Sequence, residues 1–94
     1  MQARVQIPTP LRSFTAGASS VTVEDCATVH EALGQLTTRF PDVRRHLFSD
    51  GGELRHFVNV YVNEDNIRDL DGPSTSMTAG DTLTIVPSIA GGAR

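Results

Sequence analysis

Residues 21–41 read VTVEDCATVHEALGQLTTRFP, and within this stretch the spacing of the apolar residues changes period. Val21-Thr22-Val23 alternates as a half-buried strand does. From Thr28 onward the rhythm is different: Val29, Ala32, Leu33, Leu36 and Phe40 recur at intervals that place them on one face of a helix. Thr28 and Glu31 supply the T-x-x-E capping box that starts such a helix, and Pro41, which cannot continue it, ends it. The stretch predicts a short strand followed by one amphipathic helix of about three turns.

The flanking sequence decides what this helix packs on. Gln2 to Ile7 alternates, with Ala3, Val5 and Ile7 on one face and Gln2, Arg4 and Gln6 on the other. Pro8 and Pro10 end that strand, a loop carrying Gly17 follows, and Val21–Val23 is expected to return antiparallel to the first strand. Beyond the helix, Val43, Leu47 and Phe48 predict a helical extension or extra turn, closed by the loop Ser49-Asp50-Gly51-Gly52. Residues 55–63, RHFVNVYVN, predict a strand in which Val58, Val60 and Val62 alternate with Phe57, Asn59, Tyr61 and Asn63. Glu64-Asp65-Asn66 reads as a turn, and Ile67 to Leu70 as a short strand or loop. Residues 71–80, rich in Gly, Pro, Ser and Thr, read as a loop anchored inward by Met77. Asp81 to Ile89 predicts the last strand, with Leu83 and Ile85 facing inward.

Two antiparallel strands, a helix and further strands in so short a chain predict an α+β fold, a mixed sheet packed on one main helix. If the last strand lies parallel to the first, the helix belongs to the right-handed crossover that such neighbours require. This is the β-grasp plan. It divides the chain into a domain over residues 1–88 and a flexible tail over 89–94.

Composition narrows the function. A chain of 94 residues, 38% apolar and 20% charged, fits a single domain. Its net charge of −3 includes eight basic residues, and all eight are arginine. Codon bias explains the absence of lysine; so does a need to keep ε-amino groups away from an activated acyl group. Cys26 is alone, which excludes an intrachain disulfide and a cysteine-ligated metal or iron–sulfur cluster, and suits a reducing compartment. The opening MQARVQIPTP has no long apolar run, cleavage pattern or lipidation motif, so cytoplasm is the expected location and no membrane association is expected.

No constellation of residues announces an enzyme. His30, His46 and His56 lack metal-ligand spacing, and no P-loop, GxSxG or Cys/His nucleophile pattern occurs. Glu24-Asp25 and Glu64-Asp65 fall where caps and turns explain them. Arg44-Arg45-His46 and Arg55-His56 form a small basic patch; on an acidic chain it reads as a solvated or partner-facing surface rather than a nucleic-acid site. The expectation is a protein without catalytic residues, bound metal or bound cofactor.

What remains is the close, PSIAGGAR at 87–94. Extended chain from Ser88 to Gly92 reaches about 17 Å, enough to enter another protein's active site. Without a Cβ at Gly91 or Gly92, it can thread a narrow channel and present a carbonyl unscreened.

Together, VQIPTPLR at the start, RHFVNVYVNEDNIR in the middle and GDTLTIVPSIAGG at the close resemble the ThiS/MoaD sulfur carriers of the ubiquitin-like superfamily, most of all the CysO type of cysteine biosynthesis. The resemblance implies that the carboxylate of Gly92, next to Gly91, is adenylated with ATP by a ubiquitin-activating-like adenylyltransferase and sulfurtransferase and becomes a thiocarboxylate. For the CysO type it further implies sulfur transfer to an aminoacrylate on the pyridoxal phosphate of a cysteine synthase, with release by a zinc-dependent JAMM-type peptidase. The demanding chemistry then belongs to the partners and their cofactors.

Ala93 and Arg94 depart from the form that ends at Gly-Gly. The carbonyl of Gly92 is here an amide, so cleavage between Gly92 and Ala93 is expected before activation; the alternative is that the two residues are left from cloning. The expected docking patch is Phe57, Asn59 and Tyr61 on the sheet's open face, joined by Val86 and Ile89, because exposed aromatics rimmed by polar groups mark interfaces; ordinary cross-strand packing is the alternative. Two other functions use the same features: a ubiquitin-like modifier joined through Gly92 to protein amines, or a donor for another cofactor pathway. A non-conjugating adaptor would leave the glycines unused.

Overall fold

The structure, a computed structural model, describes residues 2–87. The strands are β1 (Gln2–Gln6), β2 (Ser20–Glu24), β3 (Val58–Val62), β4 (Asp65–Asn66) and β5 (Thr82–Pro87); the helices are α1 (Val29–Arg39) and the single turn α2 (Arg44–Leu47). They form one sheet in the order β2-β1-β5-β3-β4. β1 and β5 run parallel in its centre, and the other neighbours are antiparallel. This mixed sheet on one principal helix is the β-grasp arrangement.

Alternation places the core. Ala3, Val5, Val21, Val23, Val58, Val60, Val62, Leu83 and Ile85 are buried from the sheet side, against Val29, Ala32, Leu33 and Leu36 of α1. The helix starts where its cap requires: the Glu31 amide donates to Thr28 Oγ1 at 3.3 Å, and Glu31 Oε1 accepts from the Ala27 amide at 3.0 Å, one residue before the usual partner of a capping box. The loop after β4 is tied to this helix start, because Val29 donates to the Thr75 carbonyl and Met77 to that of Ala27, both at 3.0 Å. Met77 is buried as the expected anchor.

Three boundaries differ from the sequence reading. Thr9–Phe14 is a 3-10 helix rather than plain loop, with Leu11 buried; a proline in the first positions halts β1 yet suits a tight helical turn. The third strand begins at Val58, since residues 55–58 form a turn closed by the Val58 amide on the Arg55 carbonyl at 3.1 Å. The turn after β3 falls on Asn63-Glu64 instead of Glu64–Asn66, so Asp65–Asn66 is the short strand and Ile67–Asp69 a 3-10 turn. Asn63 takes the positive φ of 58° that this tight turn needs, a conformation asparagine tolerates well.

Asn63 also braces the entry to β5. Its Nδ2 donates to Asp81 Oδ1 (3.1 Å), its Oδ1 accepts from the Thr82 amide (3.1 Å), and Asp81 Oδ2 accepts from the Thr78 amide (2.8 Å) and hydroxyl (3.2 Å). The Thr78 backbone N–H, first, and the Asn63 and Thr78 side chains favour the charged carboxylate; partial burial opposes them, and the net effect holds Asp81 below the ordinary aspartate range. A group depressed in the folded state stabilises the fold above its unfolded pKa and loses that contribution as pH falls toward the folded value. Acidification below about pH 4 is therefore expected to lower the thermal midpoint of the native chain more steeply than that of Asp81→Asn. Parallel midpoint-against-pH curves for the two would remove Asp81 from this role.

Candidate functional site

β5 occupies the middle of the sheet, and its last residue, Pro87, pairs with Val58 at the start of β3. From Pro87 the chain continues toward Gly92. Ile89, Gly91, Gly92 and Ala93, the remaining expected site residues, lie outside the described residues. The site that the structure builds is thus the surface around the end of β5.

Its centre is the open sheet face. Asn59 stands opposite Val86 in the register, and Tyr61 opposite Thr84, all on the face away from α1. Val86 is 42% exposed, unusual for a valine in a central strand, while Asn59 and Tyr61 are half-buried. Phe57 is 49% exposed but belongs to the turn at residues 55–58 rather than to β3; the register puts it at the end of the sheet where β5 finishes. Asn59, Tyr61 and Val86 are therefore brought together on one face, and Phe57 lies at its border. Leu70, 45% exposed after the 3-10 turn, is an apolar side chain that sequence reasoning did not single out.

Arg68 organises this border. Its Nη2 donates to the carbonyls of Arg55 (3.3 Å), His56 (2.8 Å) and Val58 (3.1 Å), and its Nη1 to Asn59 Oδ1 (3.1 Å). The reason is topological. β4 pairs only with Tyr61 and Val62, which leaves the first half of β3 as an open edge whose carbonyls need donors. The fork of a guanidinium supplies several at once. Asn66 shares the task, its Nδ2 donating to Asn59 Oδ1 at 3.4 Å while its own Oδ1 accepts from the Arg68 amide at 2.9 Å. The Oδ1 of Asn59 is thus engaged within the domain, and Tyr61, Val86 and Phe57 carry the apolar and aromatic area of this surface.

The described residues offer little for chemistry of their own. Cys26 is buried, donates to the Glu24 carbonyl at 3.4 Å, and has its thiol pushed up by burial, with the charges of Glu31 and Asp25 adding to the effect. Such a thiol is a poor nucleophile. His46 stacks on Phe14 with ring centroids 4.2 Å apart, and His30 meets Phe48 edge-on at 6.4 Å. Among the described residues no group of three or more His, Cys, Asp or Glu could hold a metal ion, and no helix is long and apolar enough to cross a membrane.

Comparison with known proteins places this geometry. The family model described as the ThiS family matches residues 5–92. The sulfur carrier protein CysO of Mycobacterium tuberculosis is 36% identical over 94 residues, an alignment covering 98% of this chain and 100% of that protein. A chain in the crystal structure of the Amycolatopsis orientalis BexX/CysO complex superposes with a TM-score of 0.85 at 38% identity, over 94% of this chain and 97% of that one. Small archaeal modifier protein 3 of Haloferax volcanii is 36% identical over 70 residues, 74% of this chain and 75% of its own length.

Proposed function

Because this chain belongs to the ThiS family, we propose that it works as a sulfur carrier of the CysO type whose functional group is the acyl carbon of Gly92. The observation that carries this reading is where the family match stops: it runs from β1 through the central strand and ends at Gly92, leaving Ala93-Arg94 outside it. The domain supplies a base for that carbon, since β5 begins between β1 and β3 and stays paired with β3 to its last residue, Pro87.

The chemistry follows from the carbon's environment. As an amide to Ala93, the Gly92 carbonyl cannot form a mixed anhydride with AMP; hydrolysis of the Gly92–Ala93 bond frees the carboxylate. That carboxylate then attacks the α-phosphorus of ATP, expelling pyrophosphate, and hydrosulfide displaces AMP from the acyl-adenylate to leave the thiocarboxylate and a proton. The partners this requires are an adenylyltransferase with sulfurtransferase activity, a zinc-dependent JAMM-type peptidase for cleavage and, for cysteine synthesis, a synthase carrying pyridoxal phosphate. Tyr61, Val86 and Phe57 form the docking patch for the first of these, with Ile89 continuing it along the tail.

The similarity to a small archaeal modifier protein supports a second reading, in which activated Gly92 acylates protein amines. It shares every step up to the adenylate and differs in the nucleophile; a donor role in another cofactor pathway differs only in the final sulfur acceptor. The common step is tested by ATP–pyrophosphate exchange with the adenylating enzyme of the same organism. A chain ending at Gly92 is expected to support exchange, and the 94-residue chain only after the peptidase is added. Exchange by the intact 94-residue chain alone would contradict the processing step, and no exchange by either would contradict the carrier role.

A further inference from the structure

Phe57 owes its exposed place to a turn that the fold holds at both ends. Before it, the Arg55 amide donates to the Leu47 carbonyl and Arg55 Nε to the Arg45 carbonyl, each at 2.8 Å, so the turn starts fastened to α2. After it, Val58 enters β3 opposite Pro87. Arg68 spans the interval: the three carbonyls that share its Nη2, those of residues 55, 56 and 58, flank Phe57 on both sides, and its Nη1 reaches Asn59 Oδ1. Arg68 is set in its turn by Asn66, the cap whose Oδ1 accepts from the Arg68 amide.

The open edge of β3 explains why donors are needed here. It does not explain why one side chain from another turn supplies them. His56, Phe57 and Arg68 are exposed, and water satisfies the carbonyls of an exposed turn. Ordering a long arginine side chain and a surface turn costs conformational entropy. Burial of an apolar side chain is the usual compensation, and at Phe57, 49% exposed, half of it is missing. What the arrangement does provide is an aromatic residue whose backbone is held in place beside the end of β5. Preorganisation of this kind lowers the ordering cost of association.

We propose that Arg68 is a positioning residue for docking: by bonding the backbone on either side of Phe57, it holds that residue as the adenylating enzyme receives it. The proposal rests on the carrier reading above and adds the residue that acts through Phe57. Arg68 works on the docking surface and not on the reacting carbon, so its effect falls on binding of the chain rather than on the chemical step.

The test is steady-state adenylation of the chain ending at Gly92 by the adenylating enzyme of the same organism, with thermal melting to confirm that each variant is folded. Arg68→Gln is expected to raise KM for the chain about three- to tenfold, the range for ordering one side chain, with kcat unchanged. Arg68→Lys, which keeps the charge and loses the fork, is expected to match Arg68→Gln within about twofold. Phe57→Ala is expected to raise KM as well, and adding Arg68→Gln to it to change KM by less than about twofold, because nothing is then left to position. Asn66→Ala, which keeps the guanidinium and removes the cap of its turn, is expected to act in the same direction and to lose its effect beside Phe57→Ala; this pair decides the matter if Arg68→Gln does not melt cooperatively. In Arg68→Gln the Val58 amide, which closes the turn, is expected to exchange its hydrogen at least about fivefold faster, with the Leu83 amide unchanged. Native KM in Arg68→Gln would overturn the positioning role and leave the carrier reading intact. So would native KM in Arg68→Lys, since charge would then suffice, and full additivity with Phe57→Ala, since Arg68 would then act alone. An unchanged KM for Phe57→Ala removes the residue it acts through and overturns it too. No adenylation of the native chain overturns both.

Discussion

Gly92→Val, in a chain ending at that residue, is expected to lower adenylation by at least about 100-fold without moving the thermal midpoint. The expectation has two parts. A β-branched side chain on the reacting residue restricts the backbone and widens a strand of chain that must enter an active site built around bare backbone. Displacing a reacting atom by about 1 Å is enough to cost on the order of 100-fold in rate. In sequence the substitution follows the last residue of β5, and it alters none of the buried residues of the described core. Gly92→Ala is expected to fall between the two, and an exchange rate for Gly92→Val within about threefold of native would show that the narrowness of the glycine arm is not used.

The second large effect is on the fold that carries the arm. Leu83 is fully buried in β5, registered against Val5 on one side and Val62 on the other. Leu83→Ala removes side-chain volume at the centre of the sheet's packed face, where paired strands on both sides limit collapse into the space. Such truncations cost about 2–5 kcal/mol, against a total of about 5–14 kcal/mol for a chain of this length. Urea unfolding followed by circular dichroism is expected to show the midpoint lowered by at least about a seventh of its native value, with m unchanged. A loss below about 1 kcal/mol would mean that the core repacks around residue 83 and that the central strand is less constrained than its register implies.

How far the sequence discloses this molecule depends on what sets each feature. Ala3/Val5/Ile7, Val58/Val60/Val62 and Leu83/Ile85 announce their strands because one face is buried and the other is not, and the helix is announced by its cap and its stripe. β4 is too short to carry a period, and its place is set by where Asn63 turns the chain. The 3-10 helix at Thr9–Phe14 was hidden because the prolines that end β1 also start it. Phe57 was placed in β3 by alternation, but the turn that interrupts it is held by Arg68 from 13 residues away, and nothing local signals that reach. The contact between the two basic stretches was hidden for the same reason: both are visible in the sequence, but only the fold shows that Arg55 donates to the Arg45 carbonyl and Arg68 to that of Arg55. Gly91-Gly92 was legible as thin backbone, and its role only through the family to which the chain belongs.

The intact mass of the protein isolated from its own cells addresses the account most directly. Chains shortened to Gly92 and heavier by the exchange of one oxygen for sulfur are the predicted species, and they should revert on alkaline hydrolysis. Chains that keep Ala93-Arg94 throughout, with no sulfur-bearing form under cysteine starvation, would contradict it.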